Sequence, residues 1–505
     1  MYFSSVKKVA ENTKNEQITI SKAEYEKLLS ENEYLKRQLN ELKRMIFGKK
    51  SERFVPADDS QLHLFDLPAQ EVPEKETEEI TYKREKSGKE KQKPIRAKLP
   101  AHLPRTEEVI EPETIEEGSK KIGEDITEIL EYNPSKLFVR KIIRPKYAKP
   151  ENDGVVIAEL PSLPIPKGNA GASMLAHLAV SKFVDHLPFY RQIQIFKRQN
   201  LFLSKSTLNG WFNASSDLLV PLYNVLQNRI LESDYIQADE SPIGVQDSHK
   251  KGTLHRGYQW VYRSPVERLV LFKYHPSRER KAPENMLINF SGSLQTDGYK
   301  AYQSMKTKSR ITHLACMAHA RRYFEKALDN DKMRAEYMLS QIQRLYKIER
   351  KSRERNIDFE TRKRYRQLCA KPVLGEIKEW LDDNHLKVLP KSAIGKAIVY
   401  TLNLWPRLTE YVSCGKYEID NNLIENAIRP LALGRKNYLF AGSHQAAQRA
   451  AMFYSFFATC KINGTEPLAW LTDVLNRISE HKANKLSELL PAYWQAHSSP
   501  NSTNI

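Results

Sequence analysis

The stretch Ile419-Asp-Asn-Asn-Leu-Ile-Glu-Asn-Ala-Ile-Arg429 has the pattern of a short amphipathic helix with a carboxylate in its middle. Asp420 can cap the first free backbone N–H groups, and the apolar residues of the stretch repeat on one face. Glu425 lies on a different face, so its carboxylate is free to join residues from elsewhere in the chain. The helix therefore indicates the last part of a site that begins upstream.

Two aspartates upstream are candidates for the rest of that site, because each follows a short strand-like run. Asp239 ends the run Tyr235–Ala238, and Asp297 ends the run that begins at Leu294. Carboxylates from two strand ends and one helix are the oxygen ligands that a hard divalent cation such as Mg²⁺ requires. The spacing alone leaves open that each acid is a solvated turn or cap residue, since the chain contains 62 Asp and Glu residues.

The composition favours a polyanionic partner. The 505 residues include 80 Lys and Arg against 62 Asp and Glu, a net charge of +18 that is spread along the whole chain. Nucleic acid is the first candidate and an anionic membrane surface the second, and a merely soluble basic protein also stays open. No apolar run reaches about 18 residues, so no membrane span is expected. The polar N-terminus does not resemble a signal peptide, and four widely spaced cysteines fit a reducing cytoplasm.

Residues 1–54 are expected to form a dimerising coiled-coil helix, because residues 18–47 carry a heptad repeat. Asn32 occupies an a position, where a buried amide fixes register and a two-stranded state. A single amphipathic helix that packs on its own domain is the alternative. Residues 55–98 are rich in Glu, Lys and Pro with few large apolar residues, which predicts a flexible linker.

The next two segments are expected to be a small β-rich module, 99–165, and a helix-turn-helix region, 166–230. Three helices are predicted in the second, at 172–181, 188–198 and 204–213. The third is short and presents polar side chains outward, which is the pattern of a DNA-recognition helix, although helical trios are common in other proteins. The candidate DNA contacts on this helix are Lys205, Ser206 and Asn209.

The rest of the chain is expected to be a ribonuclease-H-like α/β core interrupted by a helical insertion. Three meandering strands, a helix, a strand, a helix and a strand follow from residue 235, and in that fold the ends of strands one and four are neighbours. The core is assigned to 231–324 and 411–462, with its first helix at 278–290. The all-helical insertion is assigned to 325–410, with helices that include 359–368 and 375–381. A C-terminal helix and tail are assigned to 463–505. Residues 434–443 are expected to form a basic loop.

Several motifs, taken in chain order, resemble the transposase of the insertion sequence 66 family over essentially the whole length. The matching stretches include Phe47-Gly-Lys-Lys-Ser-Glu52, Leu99-Pro-Ala-His-Leu-Pro-Arg105, Asp185-His-Leu-Pro-Phe-Tyr-Arg191, Ala238-Asp-Glu-Ser-Pro242, Gln295-Thr-Asp-Gly-Tyr299, Ala318-His-Ala-Arg-Arg322 and Arg435-Lys-Asn-Tyr-Leu-Phe-Ala-Gly-Ser443. The resemblance implies a DDE transposase whose metal-binding and catalytic triad is Asp239, Asp297 and Glu425. It further implies two Mg²⁺ ions, for which Mn²⁺ can substitute.

The implied activity is binding of the ends of the insertion sequence, cleavage there, and joining of the 3′ ends to target DNA by two-metal phosphoryl transfer. Arg322, Arg435 and Lys436 are expected to contact DNA, and His319 and Arg429 to support the site. Helix-start packing and surface ion pairs are an equally good reading of His319 and Arg322. Expected partners are double-stranded DNA, a second copy of the chain through the coiled coil, and accessory proteins of the same element, in the nucleoid-associated cytoplasm of a bacterium.

Two alternatives to this reading remain. One is a non-catalytic dimeric DNA-binding protein, and the other is a ribonuclease-H-like nuclease that cuts without joining. The chain also departs from the family at one place, where Lys149 and Asn152 stand in positions at which a Cys-x-x-Cys pair is expected. Zinc takes nitrogen or sulfur ligands in tetrahedral number, so we predict no structural zinc in the 99–165 module.

Overall fold

The computed structural model describes residues 99–112, 119–133, 136–150, 154–247, 253–299, 301–302 and 310–495. All of them belong to one compact unit, Gly88–Ile505. The coiled coil expected in residues 1–54 and the linker expected in 55–98 lie wholly outside the described residues, so both stay predictions. Among the described residues, no helix has the length and apolar character that spanning a membrane requires.

The first module is a four-stranded sheet, as expected for a β-rich segment. Its core is a long antiparallel hairpin, in which Leu130 pairs with Val139, and the first strand runs parallel to the third. The strands are β1 (Arg105–Val109), β2 (Lys120–Asn133), β3 (Lys136–Ala148) and β4 (Val155–Ile157). The module is anchored to the next helix at Gly171, whose amide donates to the carbonyl of Leu130 in β2 at 2.7 Å.

Three helices follow, and the third is much longer than the sequence suggested. They are α1 (Ala172–Phe183), α2 (Phe189–Arg198) and α3 (Lys205–Leu231). Ser204 caps α3 as expected, since its side chain accepts a hydrogen bond from the Thr207 amide at 3.0 Å. The helix continues for 27 residues through Pro221 because Leu219, Leu222, Leu226 and Ile230 recur at helical spacing and are fully buried.

The central sheet has the strand order β7-β6-β5-β8-β9, with β5, β6 and β7 antiparallel and β5, β8 and β9 parallel. The expectation that strands one and four of this segment are neighbours is confirmed, since β5 pairs with β8. The elements are β5 (Tyr235–Gln246), β6 (Leu254–Ser264), β7 (Leu269–His275), α4 (Lys281–Met286), β8 (Gly292–Thr296) and β9 (Ile311–Ala315). Helix α4 covers only part of the helix expected over 278–290.

One expectation about this sheet was wrong: β5 does not end at Asp239. The strand continues to Gln246 because it keeps pairing with β6 from Gln237 onward, after its pairing with β8 has ended. Pro242 is tolerated in the strand because its position lies beyond the residues that pair with β8, where a missing N–H breaks no ladder bond. Asp239 therefore lies inside a long strand, at the point where one of its two neighbours ends.

The segment 325–410 consists of helices joined by short turns, and its buried apolar side chains form one cluster with Tyr235 of β5 and Leu314 of β9. The remaining helices are α5 (Met317–Glu325), α6 (Lys332–Glu354), α7 (Phe359–His385), α8 (Ala393–Thr409), α9 (Asn422–Tyr438), α10 (His444–Asn463) and α11 (Pro467–Arg477). The two short helices expected at 359–368 and 375–381 are one continuous helix, α7. Helix α10 packs against β7, and its Ser455 hydroxyl accepts a hydrogen bond from the Phe272 amide of this edge strand at 2.7 Å.

Candidate active site

The register of β5 against β8 brings the two candidate aspartates to neighbouring positions. Gln237 pairs with Gln295, and each aspartate lies two residues further along its own strand direction. Since side chains alternate with a period of two, Asp239 and Asp297 fall on the same face of the sheet. Asp297 directly follows β8, so it lies where the pairing between β5 and β8 ends.

Glu425 comes from the first turn of α9, and the loop before this helix is held against the sheet by side-chain amides. Gln237 Nε2 donates to the carbonyl of Asp420 at 3.0 Å, and Gln295 Nε2 donates to the carbonyl of Glu418 at 2.8 Å. Asn421 Nδ2 donates back to the carbonyl of Ala238 at 3.2 Å. These bonds fix the start of α9 beside the two strands, and so they place Glu425 near the aspartates.

The two glutamines form a buried pair that sequence reasoning missed. Both side chains are fully buried, Gln237 Nε2 donates to Gln295 Oε1 at 2.8 Å, and the Tyr235 hydroxyl donates to the same oxygen at 2.5 Å. A repeated Gln-x-Asp pattern, in Gln237-Ala-Asp239 and Gln295-Thr-Asp297, was the available signal. Buried amides need hydrogen-bond partners, and the paired strands together with the loop before α9 supply them for both Nε2 groups and for Gln295 Oε1. Gln237 Oε1 has no partner among the described residues.

The surroundings of Asp239 change the pKa of its carboxyl group. Burial raises the pKa of Asp239 well above its usual range, and the negative charges of Glu240, Asp297 and Glu425 raise it further. The Glu240 amide donates to Asp239 Oδ1 at 2.8 Å, and the Tyr299 amide donates to Asp297 Oδ1 at 2.8 Å. Each aspartate thus has one oxygen oriented by the backbone. Such a crowded set of carboxylates favours the binding of a cation or a proton.

The three acids are not arranged as a complete metal site. Within the residues that the structure describes, no three His, Cys, Asp or Glu side chains are grouped closely enough to hold an ion. Asp239, Asp297 and Glu425 nevertheless form a set of hard oxygen donors, which suits Mg²⁺ or Mn²⁺ and does not suit zinc. Their role as metal ligands stays a prediction.

His319 and Arg322 lie on α5, beside Glu425. Arg322 Nη2 is 3.9 Å from Glu425 Oε1. Burial lowers the pKa of His319, and the charge of Arg322 lowers it further, although Glu425 and Asp297 act in the opposite direction. Its Nδ1 atom is buried and has no hydrogen-bond partner among the described residues. The structure therefore places both side chains at the acids, with His319 favoured in its neutral form.

The basic residues near the end of α9 differ in how accessible they are. Residues 434–438 are the last turns of this helix rather than the expected loop, so that expectation was wrong. Arg429 and Lys436 are exposed, whereas Arg435 is half-buried and donates to the carbonyl of Pro242. Burial also lowers the pKa of Arg435. Lys436 is thus the more accessible of the two expected phosphate contacts.

The three candidate DNA contacts of the helical region lie in the first turns of α3. Lys205 and Ser206 are exposed, and Asn209 is half-buried. The rest of α3 packs in the same apolar core as the central sheet. The first turns are consequently held on a rigid support, and their role in DNA recognition stays a prediction.

Three segments of the chain match models of known protein families. Residues 167–449 match the model described as "Transposase IS66 family", residues 34–107 match "Transposase C of IS166 homeodomain", and residues 455–492 match "IS66 C-terminal element". Two relatives come from Sinorhizobium fredii (strain NBRC 101917 / NGR234). Uncharacterized protein y4jD is 34% identical over 485 residues, 92% of this chain and 94% of the relative. Uncharacterized protein y4hP is 30% identical over 497 residues, 91% of this chain and 88% of the relative. The chain belongs to the IS66 family of transposases.

Proposed function

We propose that this transposase binds the ends of its insertion sequence, cleaves the DNA there and joins the 3′ ends to target DNA, using Asp239, Asp297 and Glu425 as one catalytic triad. The observation that carries the proposal is the position of these carboxylates. Asp239 and Asp297 lie on paired strands, and hydrogen bonds from those strands hold the loop that leads to Glu425. Membership of the family supports a DNA-cleaving enzyme, and the triad supplies the site within it.

The donor set fits a divalent metal. The three acids offer carboxylate oxygens, and Asp239 is buried among like charges, a situation that a bound cation would relieve. When bound, Mg²⁺ lowers the pKa of a water or hydroxyl nucleophile and neutralises charge on the reacting phosphate. In this proposal Asp239, Asp297 and Glu425 hold the metal, and Mn²⁺ is an acceptable replacement.

The protein residues around the triad orient and bind. The amides of Glu240 and Tyr299 fix one oxygen of each aspartate, and the glutamine pair fixes the loop that leads to Glu425. Arg322 is positioned to bind a phosphate oxygen near Glu425, because its guanidinium is partly exposed and always charged. His319 is available beside it as a neutral hydrogen-bonding group. Preorganised donors of this kind stabilise charge that develops during phosphoryl transfer.

The remaining parts of the proposal concern assembly and DNA recognition. Lys205, Ser206 and Asn209 are proposed to contact the element end, and Arg435 and Lys436 to contact backbone phosphates. The segment matched by the homeodomain-type model, 34–107, overlaps the heptad repeat, so the N-terminal region is proposed to combine dimerisation with DNA binding. Accessory proteins of the same element are proposed to assist.

The test is a reaction of the full chain with labelled duplex DNA that carries the terminal sequence flanking its own gene, with Mg²⁺ and a target plasmid. The proposal expects cleavage at the element end and a labelled product covalently joined to the plasmid. Cleavage without joining would support the nuclease alternative instead. A mobility shift without either product, also after the accessory proteins are added, would support the non-catalytic DNA-binding protein.

A further inference from the structure

Arg278 lies between β7 and α4, outside the helix in which the sequence placed it, and its guanidinium is held on two sides. Nε donates to Glu240 Oε1 at 2.8 Å. The guanidinium carbon lies 4.0 Å from the centre of the Tyr299 ring. The Tyr299 hydroxyl in turn donates to the carbonyl of Arg278 at 3.2 Å. An arginine with an ion pair on one edge and an aromatic ring under its face is strongly restricted in orientation.

Both anchors are directly connected to the candidate aspartates. Glu240 follows Asp239 in β5, and its side chain is only 2% exposed. Tyr299 donates its amide hydrogen to Asp297 Oδ1. Arg278 thus bridges the two chain segments that carry the aspartates, whereas Arg322 lies at Glu425. The two guanidinium groups are associated with different parts of the triad.

The guanidinium of Arg278 also keeps an outward-facing part. Its side chain is 46% exposed, and Nη1 makes no hydrogen bond to any residue that the structure describes. Arg256 and Arg278 both lie 5.9 Å from the Tyr258 ring centre, so a second cation stands nearby. A phosphodiester that approaches Asp239, Asp297 and their acidic neighbours needs cations to offset the repulsion between like charges. A restrained guanidinium with a free edge is well suited to bind a phosphate oxygen.

We propose that Arg278 binds a backbone phosphate of the DNA strand that enters the site, and that Glu240 and Tyr299 hold its guanidinium in place for this contact. The inference rests on the proposed function, because it presupposes that DNA is bound at the triad. It adds a phosphate-binding residue at the aspartate side of the site, and it predicts a contact with one particular phosphate next to the cleaved bond.

The test measures the binding of protein variants to chemically modified DNA. Element-end duplexes carry a neutral methylphosphonate at one phosphate at a time, on either side of the cleavage position. Binding to the full wild-type chain, to Arg278→Ala and to Arg278→Lys is measured without divalent metal at several salt concentrations. Arg280→Ala is the matched control, because Arg280 is 70% exposed and its charge partner, Glu284, is 3.9 Å away.

We expect wild type to lose about tenfold in affinity for one duplex of the series, as a charge-assisted hydrogen bond implies. Arg278→Ala should bind this duplex and the unmodified one equally well. The slope of its log affinity against log salt concentration should decrease by about one, as the loss of one phosphate contact implies. Arg278→Lys should keep the salt dependence and lose affinity. Arg280→Ala should stay sensitive to the same methylphosphonate.

Two results would overturn the inference. If Arg278→Ala and wild type respond alike to every methylphosphonate, Arg278 has only a structural role, and the proposed function is unaffected. If Arg280→Ala loses the same sensitivity, the contact is unspecific surface charge. Absence of any binding of element-end DNA by wild type would instead contradict the proposed function, and the inference would fail with it.

Discussion

A buried charge cluster joins the helical insertion to the segment that leads into α9, and replacing its central acid should destabilise the protein. Glu349 of α6 accepts hydrogen bonds from Arg366 Nε at 2.8 Å and from Arg362 Nη2 at 2.7 Å. The side chains of Glu349 and Arg366 are 1% and 0% exposed. Arg366 also donates to the carbonyl of Tyr417 at 2.8 Å, four residues before the helix-start amide Asn421. The perturbation is Glu349→Gln, which preserves shape and removes the charge.

The expected magnitude follows from the burial of the remaining guanidinium groups. Removing one partner of a buried ion pair costs about 3–5 kcal/mol, because the other charge is left uncompensated in a poorly solvated place. Arg362 keeps a second partner in Glu418, at 3.1 Å, so the lower end of that range is expected. For a unit of this size the loss corresponds to a decrease in Tm of roughly 4 °C if the unit unfolds in one transition.

The assay is thermal unfolding of the full chain, with Glu376→Gln as the control. Glu376 also pairs with an arginine, Arg344, but both side chains are almost half exposed, so little or no change in Tm is expected. Equal shifts for Glu349→Gln and Glu376→Gln would refute the reasoning, because burial of the cluster would then have no energetic consequence.

The pH dependence provides a second check on the same variant. Burial raises the pKa of Glu349, but the hydrogen bonds and charges of Arg366 and Arg362 outweigh this effect and hold the pKa below its usual range. A lowered pKa in the folded state means that the ionised acid stabilises the fold above the unfolded-state value and that this contribution is lost as the pH falls through the folded-state value. The Tm difference between wild type and Glu349→Gln should therefore be constant near neutral pH and narrow below about pH 4.5.

Three further variants test the site and its support. Asp239→Asn should raise the Tm of the metal-free protein, since it removes a buried charge among carboxylates. Mg²⁺ should raise the Tm of wild type and should raise the Tm of this variant much less. Thermal unfolding with and without the ion measures both effects. Gln237→Leu should lower the cleavage rate while DNA affinity is unchanged in a binding titration, because the loop before Glu425 loses its amide donor. Gly415→Ala should lower the Tm, since a Cβ there would lie 1.8 Å from the carbonyl oxygen of Phe359, whereas Gly442→Ala, which meets nothing within 4 Å, should leave the Tm unchanged.

That β5 and β8 are neighbours was predictable from the order of strand-like runs along the chain, because strands one and four are adjacent in the sheet which that order suggests. The length of β5 was not predictable, since Pro242 and Gly244 look like strand breakers. Pro242 is accommodated because one edge of the strand has no β8 partner there, which is a property of the sheet and not of the segment.

The three acids of the proposed triad were identifiable as separate residues, but the groups that orient them were not. Gln237 and Gln295 were missed because a glutamine in a strand carries no local signal of its partner, although the repeated Gln-x-Asp pattern was visible. Arg278 was missed because its partners, Glu240 and Tyr299, are 38 and 21 residues away along the chain. Long-range contacts of this kind depend on the tertiary arrangement, which local patterns do not contain.

The central claim is that Asp239, Asp297 and Glu425 form one catalytic site. The most direct measurement is cleavage and joining of labelled element-end DNA in the presence of Mg²⁺. It compares wild type with Asp239→Asn, Asp297→Asn and Glu425→Gln. Asp234→Asn is the control, since the Asp234 side chain is 85% exposed. The account predicts that each triad variant binds the DNA, neither cleaves nor joins it, and that Asp234→Asn behaves as wild type. Cleavage and joining at the wild-type rate by any one of the three variants would contradict the account.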